Sequence, residues 1–424
     1  MRRAACPRTR IWKRAHPRAG LPPRGDVLKL RRATVLEAGP GDGLEQELVV
    51  EVGGDARRAI ADVALLGSAE RGDELIVNVT ASDLGLGSGG FDVVHVNLTR
   101  GLTAEDGRDT NAMKLNYTSL QHGVAAVGDR GLELPIGRPA AVIALHGQLA
   151  PVAWAFAQRA RGLDLGYLQT EGGALAGGHS RVVRELRERG LLAGHLTAGA
   201  AFGGEGEAIT TAAGLHHALR TLEWDAVVCG PGPGIVGSGT PLGHGGMAAL
   251  DSAHVALALG CGTLVVPRMS SGDPRERHRG ISHHTLTVLD LLLEPVTVAL
   301  PAGMRSPVGA ELASALGGAP GIALGAPEGP GRAGLRLEVE RPARITRHDW
   351  RHASVQLPAY AASGLPSETM GRRLIEDPLF FGAALAGGAV LAELAAETHR
   401  EVHERAHDTS HEKGAAPLEA KLHG

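Results

Sequence analysis

Histidine, acid and hydroxyl residues collect at the ends of short apolar runs between residues 139 and 301. His146 and Gln148 follow "AAVIALH", Thr170, Glu171, Gly172 and Gly173 follow "LDLGYLQT", and Glu205 and Glu207 follow "LLAGHLTAG". An imidazole or carboxylate beside a bound substrate can take up or deliver a proton, and acids converging with His146 or His284 could also hold a metal. Each acid alone fits ordinary helix-start chemistry better, because a carboxylate is stabilised by the positive end of a helix dipole, and only as a cluster do they weigh evenly as a site.

The next run, "DAVVCG", opens into "PGPGIVGSGTPLGHGG". Gly232, Gly234 and Gly237 match G-x-G-x-x-G after a strand, with Gly230 and Gly239 flanking them and Ser238, Thr240 and His244 beside them. Glycine there would let backbone N–H groups approach an anion. Three details weigh against a dinucleotide fingerprint: Pro231 and Pro233 lack N–H donors, the next helix starts only near Gly245, and Arg268 stands where a ribose would want an acid. A smaller anion and a purely structural turn both remain open.

"RMSSGDPRERHRGISHH" follows the fifth run and sets Arg268, Arg275, Arg277 and Arg279 among Ser270, Ser271, His278, His283 and His284. Arginine grips carboxylate or phosphate bidentately, so Arg268 and Arg279 are candidate anion ligands, with His283 or His284 as acid or base. The plainer alternative is an exposed charged loop. Lys114 is the only lysine between Lys29 and Lys413 in a chain with 38 arginines and 5 lysines. A lysine can deprotonate or form a Schiff base where arginine cannot, so it joins the catalytic candidates. In the tail, His399, His403, His407 and His411 recur every four residues. That is one stripe if helical, read as a solvated face rather than a metal site, and no residue is assigned as a metal ligand.

These groups need a frame, and the hydrophobic pattern supplies one. From residue 27 to 100, "VLKLRRATVLEAG", "QELVVEV", "ARRAIADVALLG", "DELIVNVTA" and "FDVVHVNLT" show β-type runs, several alternating at period two. They predict a small all-β barrel or sandwich. Residues 101–138 read as a linker with one strand, in "AMKLNYTSLQ". From 139 to 301 apolar runs alternate with stretches of helical length, which predicts a doubly wound, Rossmann-like α/β domain with a parallel sheet. In "SRVVRELRERG", Ser180 reads as N-cap and Gly190 as C-cap. Residues 302–345 are rich in glycine and proline and loop-like, and 346–424 read as a helical tail with a disordered polar end. In an open α/β sheet, ligands bind beyond the carboxyl ends of the strands, where the candidate groups gather.

Composition limits the function classes. At 424 residues with 43% hydrophobic and 21% charged residues, the chain is long enough for two or three globular domains. A net charge of −3 and 3% aromatics speak against a nucleic-acid platform. The longest apolar run, "PLFFGAALAGGAVLA", falls short of the roughly 20 residues a bilayer crossing needs and reads as a buried helix. Cys6, Cys229 and Cys261 are scattered, as in a reduced cytoplasmic protein. Residues 1–26 are basic and broken by proline, and read as a disordered extension outside the fold. There is no G-x-x-x-x-G-K-[ST], G-x-S-x-G or H-E-x-x-H motif.

Several stretches together carry a family resemblance: "VNVTASDLGLGSGGFDVVHVNL", "MKLNYTSLQ", "LHGQLAPVAWAF", "GYLQTEGGAL", "CGPGPGIVGSGTPLGHGGM" and "VVPRMSSGDPRERHRGISHHT". The chain resembles the bacterial family domain of unknown function 3866 from about residue 28 to 301, and "YAASGLPSETMGRRLIEDPLFF" extends the likeness to actinobacterial-like members. The resemblance implies a bacterial setting and brings no activity, fold or ligand with it. The leading expectation is therefore a cytoplasmic enzyme acting on a phosphorylated or carboxylated small molecule at the strand-end rim. It has no nucleic-acid or membrane partner, its cofactor is open, and homo-oligomerisation is also open. A non-catalytic sensor or assembly protein and a metal-dependent hydrolase are the alternatives.

Overall fold

The computed structural model describes residues 28–41, 43–85, 89–101, 110–128, 131–173, 176–238, 240–302 and 341–414, with side chains from 344 to 401 in the last span. The basic extension 1–26, the polar end from 415, Gly239 and most of the stretch 302–345 lie outside the described residues.

The first five strands, β1 (Leu30–Ala38), β2 (Glu45–Val52), β3 (Asp55–Asp62), β4 (Glu74–Asn78) and β5 (Asp92–Asn97), close into a barrel in the order β1-β2-β3-β5-β4. Alternation drives this closure. In β2, Gln46, Leu48, Val50 and Val52 point inward and the residues between them outward. Leu48, Val50 and Val52 meet Val35, Leu75, Val77 and Val94 in one core. Most pairs are antiparallel. The barrel is sealed between β3 and β5 by a parallel contact of only two residue pairs, Ala59 with Asp92 and Ile60 with Val93. Two single-turn helices, α1 (Val63–Leu66) and α2 (Thr80–Asp83), sit in its connections.

The segment read as a linker with one strand carries three short strands. β6 (Ala112–Lys114) and β7 (His122–Val124) form a hairpin, and β8 (Ala126–Val127) joins the edge of the large sheet.

That sheet contains β9 (Pro139–Ile143), β10 (Leu165–Thr170), β11 (Gly194–Ala198), β12 (Gly206–Ala208), β13 (Ala226–Pro231) and β14 (Gly262–Val266). A small hairpin of β15 (Met269–Ser270) and β16 (Gly280–Ile281) precedes β17 (Thr297–Pro301), and β18 (Asp349–Ala353) ends the sheet, so its strands come from beyond 139–301 on both sides. The order β18-β17-β14-β9-β13-β10-β11-β12-β8 is parallel throughout. Its strands are apolar on both faces because both are covered.

α3 (Leu149–Arg159) and α4 (Arg181–Glu188) pack on one face, with Ile143, Tyr167, Val228 and Val266. α5 (Thr211–His216), α6 (Ala248–Ala258) and α7 (His283–Leu291) pack on the other, with Val142, Leu168, Val227, Cys229 and Val265. The sheet is thus doubly wound, with an order of its own: β13 lies between β9 and β10. Neighbouring strands from β14 to β11 consequently send their chains to opposite faces, and crevices open along the rim where they part. Gln148 fills one of them. Its carboxamide accepts from the Ala144 and Leu145 amides at 3.1 Å each and donates to the Val266 and Pro267 carbonyls at 3.1 and 3.2 Å.

The expected buried helix runs from Pro378 to Gly414. Its segment Pro378–Glu401 is long and apolar enough to cross a membrane, yet 83% of the apolar window is buried. Phe380, Phe381, Leu385 and Val390 pack on α3 and the sheet, so this segment serves as core. A last hairpin, β19 (Glu368–Thr369) with β20 (Arg372–Arg373), lies just before it.

Candidate functional site

His146 follows β9 in a single 3-10 turn, Tyr167 lies in β10, and Ser180 caps α4 by accepting from the Val183 amide at 3.2 Å. The fold brings the three together. His146 Nε2 stands 2.8 Å from Ser180 Oγ, and Nδ1 stands 3.4 Å from the Tyr167 hydroxyl. That hydroxyl donates to the Gly230 and Pro231 carbonyls, both at 3.1 Å, so its oxygen accepts and Nδ1 keeps the imidazole proton. Nε2 is left to accept from Ser180, the tautomer a base requires. Burial pushes His146 down to about 4 against the pull of the Pro231 carbonyl, so the ring is uncharged near neutrality. His195 stacks on Tyr167 at 5.2 Å and is held at about 3 by burial, then by His146 and Arg187.

This pair faces a cleft of about 590 Å³ between the barrel and the sheet. Glu45, Glu47, Arg58 and Phe91 line it from the barrel, and His146, His179, Ser180 and Pro233 from the rim. Polar ties fix its width: His179 Nε2 lies 3.2 Å from Asp62, and Arg184 donates to Glu45 at 2.6 Å. Arg181 pairs with Glu47, while Arg58 reaches Glu47 only at 3.9 Å.

The three acids take another course. Glu171 is exposed and accepts from the Ala200 amide at 3.2 Å. Glu205 holds Arg187 at 2.7 Å and the His195 amide at 3.2 Å. Glu207 accepts from the Gly203 and Gly204 amides and pairs with Lys114 at 2.6 Å. All three therefore brace β11 and the turn to β12 instead of meeting His146 or His284. Lys114 is buried, with Thr197 and the Ala201 carbonyl as further partners, and pins the β6–β7 hairpin to that turn. Burial lowers its pKa against the pull of Glu207.

The glycine loop is built largely for close approach. Gly172 has φ +110, and a Cβ there would come within 2.5 Å of the Gly245 carbonyl oxygen. A Cβ on Gly230 would press on Ile143, and one on Gly232 on the Gln169 side chain. Gly234, at φ +88, faces open space. Ser238 bonds Thr240 at 3.0 Å and the Gly243 carbonyl at 3.1 Å, closing the loop tip, and Gly237 bridges His244.

The arginine-rich loop meets acids of this same chain. Arg268, 3% exposed, pairs with Asp273 at 3.3 Å and donates to His284 Nδ1 at 3.1 Å. Arg275 and Arg372 also hold Asp273, at 2.9 and 3.5 Å, and Arg279 donates to its carbonyl at 3.0 Å. Ser270 Oγ and the Ser271 amide both bind Asp377, at 2.6 and 2.8 Å, tying the loop to the start of the last helix. Burial alone would raise Asp273, but the Arg275 hydrogen bonds hold it well below the carboxylate range. Against this network lie four imidazoles. His244 stacks on His284 at 3.4 Å, and His278 and His283 approach to 4.8 Å. Burial first, then neighbouring rings and arginines, pushes His278 to about 3 and His284 to about 2.

Domain of unknown function 3866, described as a protein of unknown function, matches residues 58–388. The chain belongs to this family. No curated protein and no solved structure matches it. The matched span takes in part of the barrel, the whole sheet, both histidine groups and the first turns of the last helix.

The sequence offers His146, His244, His283, His284 and Arg268 as candidates and contains His278 in the same stretch without singling it out, and the fold places them in these two groups. The sequence marks Ser180 only as an N-cap, which it is, with Gly190 one residue past the cap at φ +65. Tyr167 and Asp377 carried no local signal, since one looks like strand and the other like a helix start.

Proposed function

We propose that this family member is a cytoplasmic bacterial enzyme acting on a phosphorylated or carboxylated small molecule in the cleft, with Ser180 as nucleophile and His146 as base. One observation carries the reading: His146 Nε2, in its acceptor tautomer, lies 2.8 Å from Ser180 Oγ, and both residues line the cleft. The α4 N-terminus favours negative charge on that oxygen, and its first-turn amides can hold an oxyanion. Arg58, 63% exposed at its side chain, is available to an anionic substituent.

Ser180 Oγ bonds to a carbonyl or phosphoryl centre as its proton passes to His146 Nε2. The imidazolium then gives that proton to the departing group as its bond breaks, and water repeats the sequence to free Ser180. The burial that lowers His146 makes its imidazolium a ready proton donor in the second step and the neutral ring a weaker base in the first.

A fluorophosphonate probe tests this directly. Ser180 should label, labelling should vanish in Ser180→Ala and slow at least tenfold in His146→Ala, and a panel of phosphorylated and carboxylated metabolites should include one that raises the melting temperature. Absence of labelling, or labelling indifferent to His146, would sink the proposal.

A further inference from the structure

We propose a second site, separate from the cleft: a first-row transition-metal ion of the Zn²⁺ type held by His278, His283 and His284. One ring nitrogen from each already lies within 4.8 Å of the others. Zinc–imidazole bonds of about 2.0–2.1 Å place tetrahedral ligand atoms about 3.3 Å apart, so these nitrogens must close by up to about 1.5 Å, within reach of side-chain rotations. All three rings sit at one corner of the rim, two on the first turn of α7 and one in the loop leading to it.

The surroundings resemble those of metal ligands. Ser282 Oγ lies 2.7 Å from His278 Nδ1, which fixes that ring and leaves Nε2 for the ion. The group holds imidazoles only, which suits zinc, copper, nickel or cobalt and disfavours magnesium or calcium. Three protein ligands leave a fourth position open.

His244 lies against the group. It is 8% exposed, stacked on His284 at 3.4 Å, and has the Pro241 carbonyl as its polar neighbour, so it walls the group on one side with a second imidazole layer.

Charge sets a condition on the fourth ligand. Arg268, Arg275 and Arg372 face Asp273 and Asp377, a surplus of positive charge beside the rings. The ion is therefore best accommodated with an anion on its open position: hydroxide, carboxylate or phosphate. Arg268 can only donate to His284 Nδ1, so this contact must yield when His284 binds, leaving Arg268 with Asp273 at 3.3 Å.

The full-length protein, stripped with chelator, is titrated with Zn²⁺ by calorimetry and with Co²⁺ by visible absorption. One equivalent should bind, with a cobalt spectrum of low coordination number. Affinity should fall at least tenfold in His283→Ala and in His284→Ala, and persist when His403, His407 and His411 of the tail are all replaced by Ala. No binding, or binding lost with the tail histidines and kept in His283→Ala, overturns the proposal. Because His278 is buried, its replacement threatens the fold of the loop, so anomalous diffraction from zinc-loaded crystals of the intact chain gives a check without variants. A peak within about 2.2 Å of at least two of the three rings supports the site, and a peak elsewhere overturns it. Failure here leaves serine labelling untouched, so the two proposals fall separately.

Discussion

The cleft and the arginine-rich loop share one rim, yet their polar groups are arranged in opposite ways. In the cleft, uncharged groups form a directed chain from the Pro231 carbonyl through Tyr167 and His146 to Ser180, ending on open space. In the loop, charged groups close on each other, with three arginines around Asp273 and two serines and Arg372 on Asp377. Residue type alone pointed to the loop as the place where an anion is held. A buried arginine needs a partner wherever it sits, and here the protein provides its own.

The sharpest way to break this contrast is Asp273→Asn. It leaves Arg268 buried beside a neutral amide, so stability should drop by about 3–5 kcal/mol in urea unfolding. A drop below about 1 kcal/mol would show that the arginines are not held by this carboxylate.

Acid comes next. The folded value of His146, about 4, lies below the ordinary value of about 6.5, so folding favours the neutral ring. Its contribution is complete above about pH 6.5 and is lost as pH falls through the folded value, by about 3 kcal/mol at most. The urea midpoint of the native chain should therefore fall more steeply between pH 7 and 4.5 than that of His146→Gln; parallel curves would remove the ring from its buried chain.

The smallest expected effect is that of Ser180→Ala on stability. Loss of one N-cap should cost about 1 kcal/mol. Set beside complete loss of probe labelling, that small number separates a reacting hydroxyl from a structural one. A cost above about 3 kcal/mol would make Ser180 mainly part of the frame.

What could be read in the sequence follows from range. The barrel strands showed themselves because β2 alternates strictly, with Leu48, Val50 and Val52 on one side and Glu47, Val49 and Glu51 on the other. β9, β13 and β14 showed themselves because both faces are buried, which makes unbroken apolar runs. β8 and β12, of two and three residues at the sheet edge, have no such pattern. The sites were legible only in their local parts. His283 and His284 are neighbours in the chain, but Ser270 and Asp377 are 107 residues apart and Lys114 and Thr197 are 83 apart. Nothing in a local window announces such pairs. The interleaved place of β13, which brings its exit beside both His146 and Tyr167, is a property of topology alone.

The seam between β3 and β5 gives the cleft one more property. Arg58, Ala59, Ile60 and Phe91, on or next to the two residue pairs that seal the barrel, also line the cleft. Part of the cleft wall is thus the shortest ladder in the barrel, while β2 and β3 beside it share eight pairs. Those two rungs are bolted by Arg57, which reaches across the seam to the buried carboxylate of Asp92 at 2.7 Å, so the shortest ladder of the barrel is locked by charge where backbone pairing is scarce.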